Sequence, residues 1–295
     1  MTKGADWLIE GAIGLSKKLG ISQVVVGATI VSLGTTLPEA LISGFAAYHG
    51  KAEVIVGTNL GSILFNTAVI LGLGVLITPL SLDSRDSFYK AGTMIAVPVL
   101  FALLSLDHHI SRWDALLLII VLLVFLISNM KKEYGRDQEQ VQPQQGKLDP
   151  DTVHLLAGSV TVVLGARFLL SSGTQIARAL GVSEAIIALT LLAVGSSLPE
   201  LITGITAARK GHIDLVFGNV MGANTLNIVF AMSLAGLIQP FAVNPSVLQV
   251  EIPLSLLMMG ILFVPALFTK RITRVQGLLT ILGYIFCLTF LIAKA

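Results

Sequence analysis

The sequence predicts an all-α integral membrane protein with about ten transmembrane helices, built as two inverted five-helix repeats with broken central helices and a truncated first helix. Three observations lead there. The 295 residues are 54% hydrophobic and only 12% charged, with a mean hydropathy of +0.86, outside the range of soluble domains. Apolar runs of about 20 residues, long enough to cross a hydrocarbon core of roughly 30 Å as helices, recur from end to end. The chain also matches itself: residues 4–79 align without a gap on residues 165–240 at a constant offset of 161.

The first run, Gly4 to Leu19, is incomplete, reaching only about 24 Å at 1.5 Å per residue. The second repeat begins near Thr152, whose counterpart would fall about ten residues before Met1. Asp6 and Glu10 interrupt this run, which argues against a cleavable signal peptide. Runs near residues 22–48, 54–80, 87–106 and 113–130 complete the first half. The polar stretch Lys131 to Asp151 mixes both charge signs with Gln138, Gln140, Gln142, Gln144 and Gln145, and reads as a flexible linker too short for a domain. Runs near 152–179, 183–208, 213–241, 246–268 and 273–293 follow. The expected organisation is a first half over 1–130, a linker over 131–151 and a second half over 152–295, with repeat cores near 27–66 and 188–227.

Five helices per half is an odd number, so the second copy enters the membrane upside down relative to the first. With the linker in the cytoplasm, only Lys3, Lys51, Arg112, Arg178 and Lys294 fall on the far side and Arg167 lies within a helix. The other Lys and Arg are cytoplasmic, as the positive-inside bias requires. Both termini are then expected outside. The net charge of +2 gives no reason to expect a nucleic-acid partner. The single cysteine, Cys287, allows neither an internal disulfide nor a cysteine metal cluster.

The chemistry lies in two runs, Gly27 to Glu39 (GATIVSLGTTLPE) and Ala188 to Glu200 (ALTLLAVGSSLPE). Each places a Gly, two hydroxyl residues, a Pro and a Glu in mid-span. Proline lacks an N–H and displaces the carbonyl one turn back, and the glycine four residues earlier tolerates unusual dihedrals, so each helix is expected to break there. Freed carbonyls survive in a bilayer where they line a cavity or bind an ion. A mid-membrane acid costs on the order of 2.5 to 3.5 kcal/mol on insertion scales, so the repeated pair costs roughly 5 to 7, too much for mere helix kinks. The following helices carry GTNLGSILFN, Gly57 to Asn66, and GNVMGANTLN, Gly218 to Asn227. Their glycines permit close backbone approach, and Ser62 and Asn66, like Ala223 and Asn227, share a helix face.

These residues, in this order, resemble the calcium/cation antiporter superfamily, which includes the sodium/calcium and proton/calcium exchangers, with its paired G-T-S-x-P-E and G-N-x-x-G-S-x-x-N/D repeats. The resemblance covers nearly the whole chain and is closest to prokaryotic members. It implies ten helices in two inverted halves, an ion pathway between the broken helices, and a multi-pass protein of the prokaryotic plasma membrane. By this resemblance Glu39 and Glu200 are the central Ca2+ carboxylates, with the carbonyls of Thr35 and Ser196 completing the cage. Thr36, Ser62 and the carbonyl of Ser32 match sodium-ligand positions in the first half, and Ser197 and the carbonyl of Ala193 match them in the second. Asn66 and Asn227 match the pair between. The chain departs from the pattern at Ala223, where a serine hydroxyl is expected, at Asn227, where sodium/calcium exchangers often have aspartate, and at Thr58, which replaces an asparagine.

A hard divalent cation takes six to eight oxygens and favours carboxylates supplemented by carbonyls, in keeping with the implied ligands. His49, His108, His109, His154 and His212 fall at expected helix ends, which argues against a transition-metal site. No HExxH, GxSxG or phosphate-binding glycine loop occurs, so neither an enzyme nor a resident cofactor is expected. The reading is a secondary antiporter exchanging Ca2+ for Na+ by alternating access, with a proton- or other-cation-coupled version as the alternative and a channel less favoured. Asp6 and Arg167 occupy repeat-equivalent positions in the first helix of each half, where they either pair with each other or reach separately for water and headgroups.

Overall fold

The computed structural model describes residues 1–82, 85–131, 149–181 and 195–294. Among these residues ten helices occur. In the first half they are α1 (Thr2–Leu19), α2 (Gln23–Tyr48), α3 (Ala52–Ile77), α4 (Arg85–Leu104) and α5 (Arg112–Lys131). In the second they are α6 (Pro150–Ala179), α7 (Leu198–Arg209), α8 (Ile213–Ile238), α9 (Val247–Thr269) and α10 (Arg274–Lys294). Six of them, α2, α3, α5, α6, α8 and α9, are long and apolar enough to cross a membrane. Shorter apolar stretches cover Phe88–Leu104 and Arg274–Thr289. Of the expected linker, residues 132–148 lie outside the described residues.

The helices divide into an inner group and a lipid-facing group. The spans of α2, α3 and α8 are 67%, 67% and 78% buried, against 28% for α5 and 22% for α6. The inner helices are the ones that carry Glu39, Asn66 and Asn227. In water the hydrophobic effect would bury the apolar residues; in lipid the exposed side is apolar and the polar groups turn inward.

Small residues set the tightest crossings. Where α2 of the first half meets α8 of the second, a Cβ on Gly218 would stand 2.2 Å from the Val24 carbonyl oxygen, and one on Gly222 would stand 2.4 Å from that of Ala28. Between α1 and α6 the same device recurs, since a Cβ on Gly158 would lie 2.4 Å from the Leu8 nitrogen and one on Gly11 would lie 2.4 Å from the Asp151 carbonyl. The pair is tied further at one end, where Lys18 bridges Asp149 and, at 2.7 Å, Asp151. Helix α1 has 18 residues and α6 has 30, so the shorter helix runs along only part of its mate.

Two short antiparallel strand pairs give an internal check on topology. Strand β1 (Leu80–Ser81) pairs with β4 (Arg271–Ile272), and β2 (His109–Ile110) pairs with β3 (Phe241–Ala242). Strands that pair must lie on one face of the membrane. Among the described residues six helices separate β1 from β4 and four separate β2 from β3, even numbers that agree with both members of each pair lying on one face. Each half contributes one strand to each pair, and β1 and β3 are themselves repeat mates at the offset of 161.

The expected interruption at the proline takes a different form in each half. In α2 the helix runs continuously through Pro38, and the irregularity sits upstream as a π-helical segment over Gly27–Val31. The missing proline N–H frees the bond to Gly34 without severing the helix. In the second half the chain turns at Ser196 and Ser197, and α7 starts at Leu198 with Pro199 in its first turn, where a proline loses no hydrogen bond. Residues 182–194, the rest of this expected span, lie outside the described residues.

Candidate ion-binding site

Four helices bring the repeat residues to the centre of the bundle. Glu39 on α2 and Glu200 in the first turn of α7 are each 1% exposed. They stand close enough that Glu39 feels the charge of Glu200, and the Thr35 hydroxyl lies beside the Glu200 carboxylate. The start of α7 suits an acid, because its unpaired N–H groups carry partial positive charge. Neither glutamate forms a salt bridge among the described residues, and the Oε2 atom of each has no hydrogen-bond partner.

Most of the remaining predicted residues that the structure describes are buried polar groups as well. Ser32, Thr35, Thr36, Ser62, Asn66 and Ser197 are fully buried and Asn227 is 1% exposed. The Ser62 and Ser196 hydroxyls, one from each half, sit 3.2 Å apart. The Thr35 hydroxyl donates to the Ser32 carbonyl oxygen at 3.4 Å within the helix. Ala193 lies outside the described residues. Beside the glutamate Oε2 atoms, unpartnered buried polar atoms include Thr36 Oγ1, Ser197 Oγ, both side-chain atoms of Asn66 and Asn227 Oδ1. Buried polar groups ordinarily find partners, so a concentration of exceptions marks a place suited to binding an ion or water.

The backbone is irregular at the same places. π-Helical segments begin at Asn66 (Asn66–Leu71) and at its repeat mate Asn227 (Asn227–Met232). Such segments widen a helix by one residue and recur at functional sites. Nothing in the residue pattern marks them, because a π-turn has no residue signature of its own. Sequence reasoning also missed three asparagines. Asn219 Oδ1 faces the Thr35 hydroxyl at 3.5 Å. Asn59 donates through Nδ2 to Ser43 Oγ at 2.7 Å, and Asn224 donates to Thr67 Oγ1 at 2.8 Å. Asn219 fills the asparagine of the repeat pattern that Thr58 lacks but was not assigned a role, and the fixed offset hid Asn59 and Asn224, whose repeat mates are Val220 and Ile63.

The expected choice for Asp6, pairing with Arg167 or standing free, is corrected. Asp6 pairs with Lys210 at 2.7 Å, and Glu10 reaches the same ammonium at 3.3 Å. Helix α1 packs against α7 as well as α6, so the nearest cation is at the α7 end rather than along α6. Nearby, His212 Nδ1 lies 3.1 Å from Gln23 Oε1, and burial followed by the charges of Lys17 and Lys210 holds the imidazole below its usual value.

Chemically, the buried polar cluster offers mainly oxygen, from two carboxylates, hydroxyls and side-chain amides, and no sulfur or imidazole among the described residues. That donor set suits hard cations. Among the described residues no three of His, Cys, Asp or Glu converge on one point.

Comparison with known proteins agrees with this geometry. The family model described as "Sodium/calcium exchanger protein" matches residues 1–131 and 151–293. The inner membrane protein YrbG of Escherichia coli is 34% identical over 251 residues, covering 82% of this chain and 77% of its own length. The sodium/calcium exchanger MaX1 of Methanosarcina acetivorans is 26% identical, covering 97% and 93%. Among solved structures, the sodium-calcium exchanger NCX_Mj soaked with zero Na+ and Ca2+ superposes with a TM-score of 0.84 at 27% identity, covering 98% of this chain and 94% of that one. The duplicated acidic centre, the inverted helical halves and these matches lead to one conclusion: the chain belongs to the sodium/calcium exchanger family of membrane antiporters.

Proposed function

We propose that this protein exchanges Ca2+ for Na+ across the membrane, with Glu39 and Glu200 as the carboxylates that hold Ca2+. One observation carries the reading: two glutamates, one from each half, are buried with no salt bridge to either among the described residues, and an oxygen of each lacks a hydrogen-bond partner. Two carboxylates neutralise one Ca2+, so the loaded centre carries no net charge. An empty centre would hold two buried negative charges, which is costly. The carrier therefore changes face only when loaded, and that condition is what makes transport an exchange.

In this reading the carbonyls of Thr35 and Ser196 complete the Ca2+ cage, while Thr36, Ser62, Ser197 and the carbonyls of Ser32 and Ala193 serve Na+. Asn66 and Asn227 stand between the carboxylates as neutral amides. The protein resides in the plasma membrane with its linker in the cytoplasm. A proton-coupled version is favoured by one feature, Ala223. It is fully buried at the repeat position of Ser62 and offers no side-chain oxygen for a second sodium.

The test is radioactive calcium uptake into proteoliposomes under an outward sodium gradient, then under an outward proton gradient. Sodium-driven uptake in the wild type that is lost in both Glu39→Gln and Glu200→Gln is the expected result. Retained exchange in both variants would refute the two-glutamate site. Uptake driven only by protons would move the protein to the proton-coupled alternative.

A further inference from the structure

The repeat exposes a difference in charge between two corresponding places in the halves. At one end the acids of α1, Asp6 and Glu10, are matched by Lys210 in the α7–α8 turn. The offset of 161 carries Asp6 onto Arg167 and Lys210 onto His49. Helix α2 begins at the Lys210 end, where Gln23 meets His212, and runs 26 residues to the α2–α3 turn, so His49 stands at the opposite end. There, between α6 and that turn, lies a cavity of about 590 Å³ lined by Leu41, Ile42, Phe45, His49, Lys51 and Arg167. Among the described residues no carboxylate lines it. Neither Arg167 nor Lys51 has an ion-pair partner among the described residues.

We propose that this cavity binds the headgroup of an anionic phospholipid, with the phosphate between Arg167 and Lys51 and an acyl chain along the apolar wall. Arginine presents a planar fork matched to phosphate, and lysine adds a point charge. His49 is held in place, since its Nδ1–H donates to the Phe45 carbonyl at 2.9 Å and its ring packs 4.2 Å from that of Phe45; its Nε2 is left for the ligand. Leu41 and Phe45, one helical turn apart, are 56% and 70% exposed. They give the site an apolar wall that a free anion would not use. The volume falls in the usual range for small-ligand pockets. The lipid would bridge α6 to the α2–α3 turn, as Lys210 bridges α1 to the α7–α8 turn.

Native mass spectrometry of the detergent-purified protein, titrated with phosphatidylglycerol and with phosphatidylcholine, tests the site. The expected result is preferential phosphatidylglycerol binding in the wild type. The Arg167→Gln/Lys51→Gln double variant should reduce it on the order of tenfold or more, as loss of two interfacial cations implies. Lys270→Gln, which removes a cation away from the cavity, should leave it unchanged. If the double variant is poorly folded by melting and elution, Arg167→Lys/Lys51→Arg, which keeps both charges, should retain the preference. Equal occupancy by the two lipids in the wild type would overturn the proposal, as would undiminished phosphatidylglycerol binding in a folded double variant. Displacement of the lipid by millimolar inorganic phosphate would overturn it in favour of a free-anion site.

Discussion

The crossing of α2 and α8 can be tested with a single methyl group. In Gly222→Ala the new Cβ would lie 2.4 Å from both the Ala28 carbonyl oxygen and the Ser32 hydroxyl, and 2.6 Å from the Ala28 Cα, where ordinary contact begins at 3.4 Å. The helices must part by about 1 Å, or one must rotate, because backbone atoms cannot turn aside as a side-chain tip can. Overpacking of this kind costs about 1–3 kcal/mol. The displacement falls on Ser32, next to the ion chamber, and a binding constellation loosened by more than about 0.5 Å loses its geometry. The expected outcome is a lower melting temperature in detergent, read by the loss of the monodisperse elution peak on heating, together with calcium uptake reduced by about tenfold. Gly260→Ala on α9 is the control. Nothing lies within 4 Å of a Cβ there, and alanine is the better helix former by about 1 kcal/mol, so stability should hold or rise. A Gly222→Ala protein as stable and as active as wild type would refute the argument that close backbone contact positions the site.

Three further outcomes are expected. A double-mutant cycle with Asp6→Asn and Lys210→Met should show a coupling of about 0.2–1 kcal/mol, small because the side chains are 43% and 34% exposed, whereas Asp6→Asn with Arg167→Met should show none. His212 is held below its usual value by burial and the nearby lysines. Below about pH 6.5 the unfolded chain therefore binds more protons than the folded one, and stability falls with pH. His212→Gln should narrow the difference in melting temperature between pH 7.5 and pH 5.5, and an unchanged difference would remove the histidine from the account. Ala223→Ser restores the hydroxyl at the repeat position of Ser62; if sodium binds there, half-maximal sodium-driven uptake should shift to lower Na+, and no shift would dissociate that position from sodium.

Most of the helical plan was legible because lipid imposes a simple rule of length and apolarity. The expected runs 22–48, 113–130 and 246–268 fall within a residue of α2, α5 and α9. The site was legible for a different reason: two copies of one pattern filter out residues that recur by composition alone, leaving the Gly, Pro, Glu and Asn that recur in order. The same filter failed where the halves differ. Asn219, Asn59 and Asn224 have no matching asparagine in the other copy, and Lys210 has only His49 opposite Arg167. Partner choice between helices depends on which faces meet and at what height, and neither is written in a single helix. The form of the irregularity at Pro38 was hidden likewise, since a proline removes one hydrogen bond but does not say whether the helix turns, widens or stops.

The crossed strand pairs bear on how the protein is made. Leu80–Ser81 and His109–Ile110 leave the ribosome early, yet their partners are Arg271–Ile272 and Phe241–Ala242. A nascent first half therefore enters the membrane with both of its strands unmatched. It cannot close on itself, and it must wait for α8 and α9 before either face is fastened. Chain order thus favours assembly by docking of two preinserted halves, and a stall between the halves would leave backbone edges open on both faces.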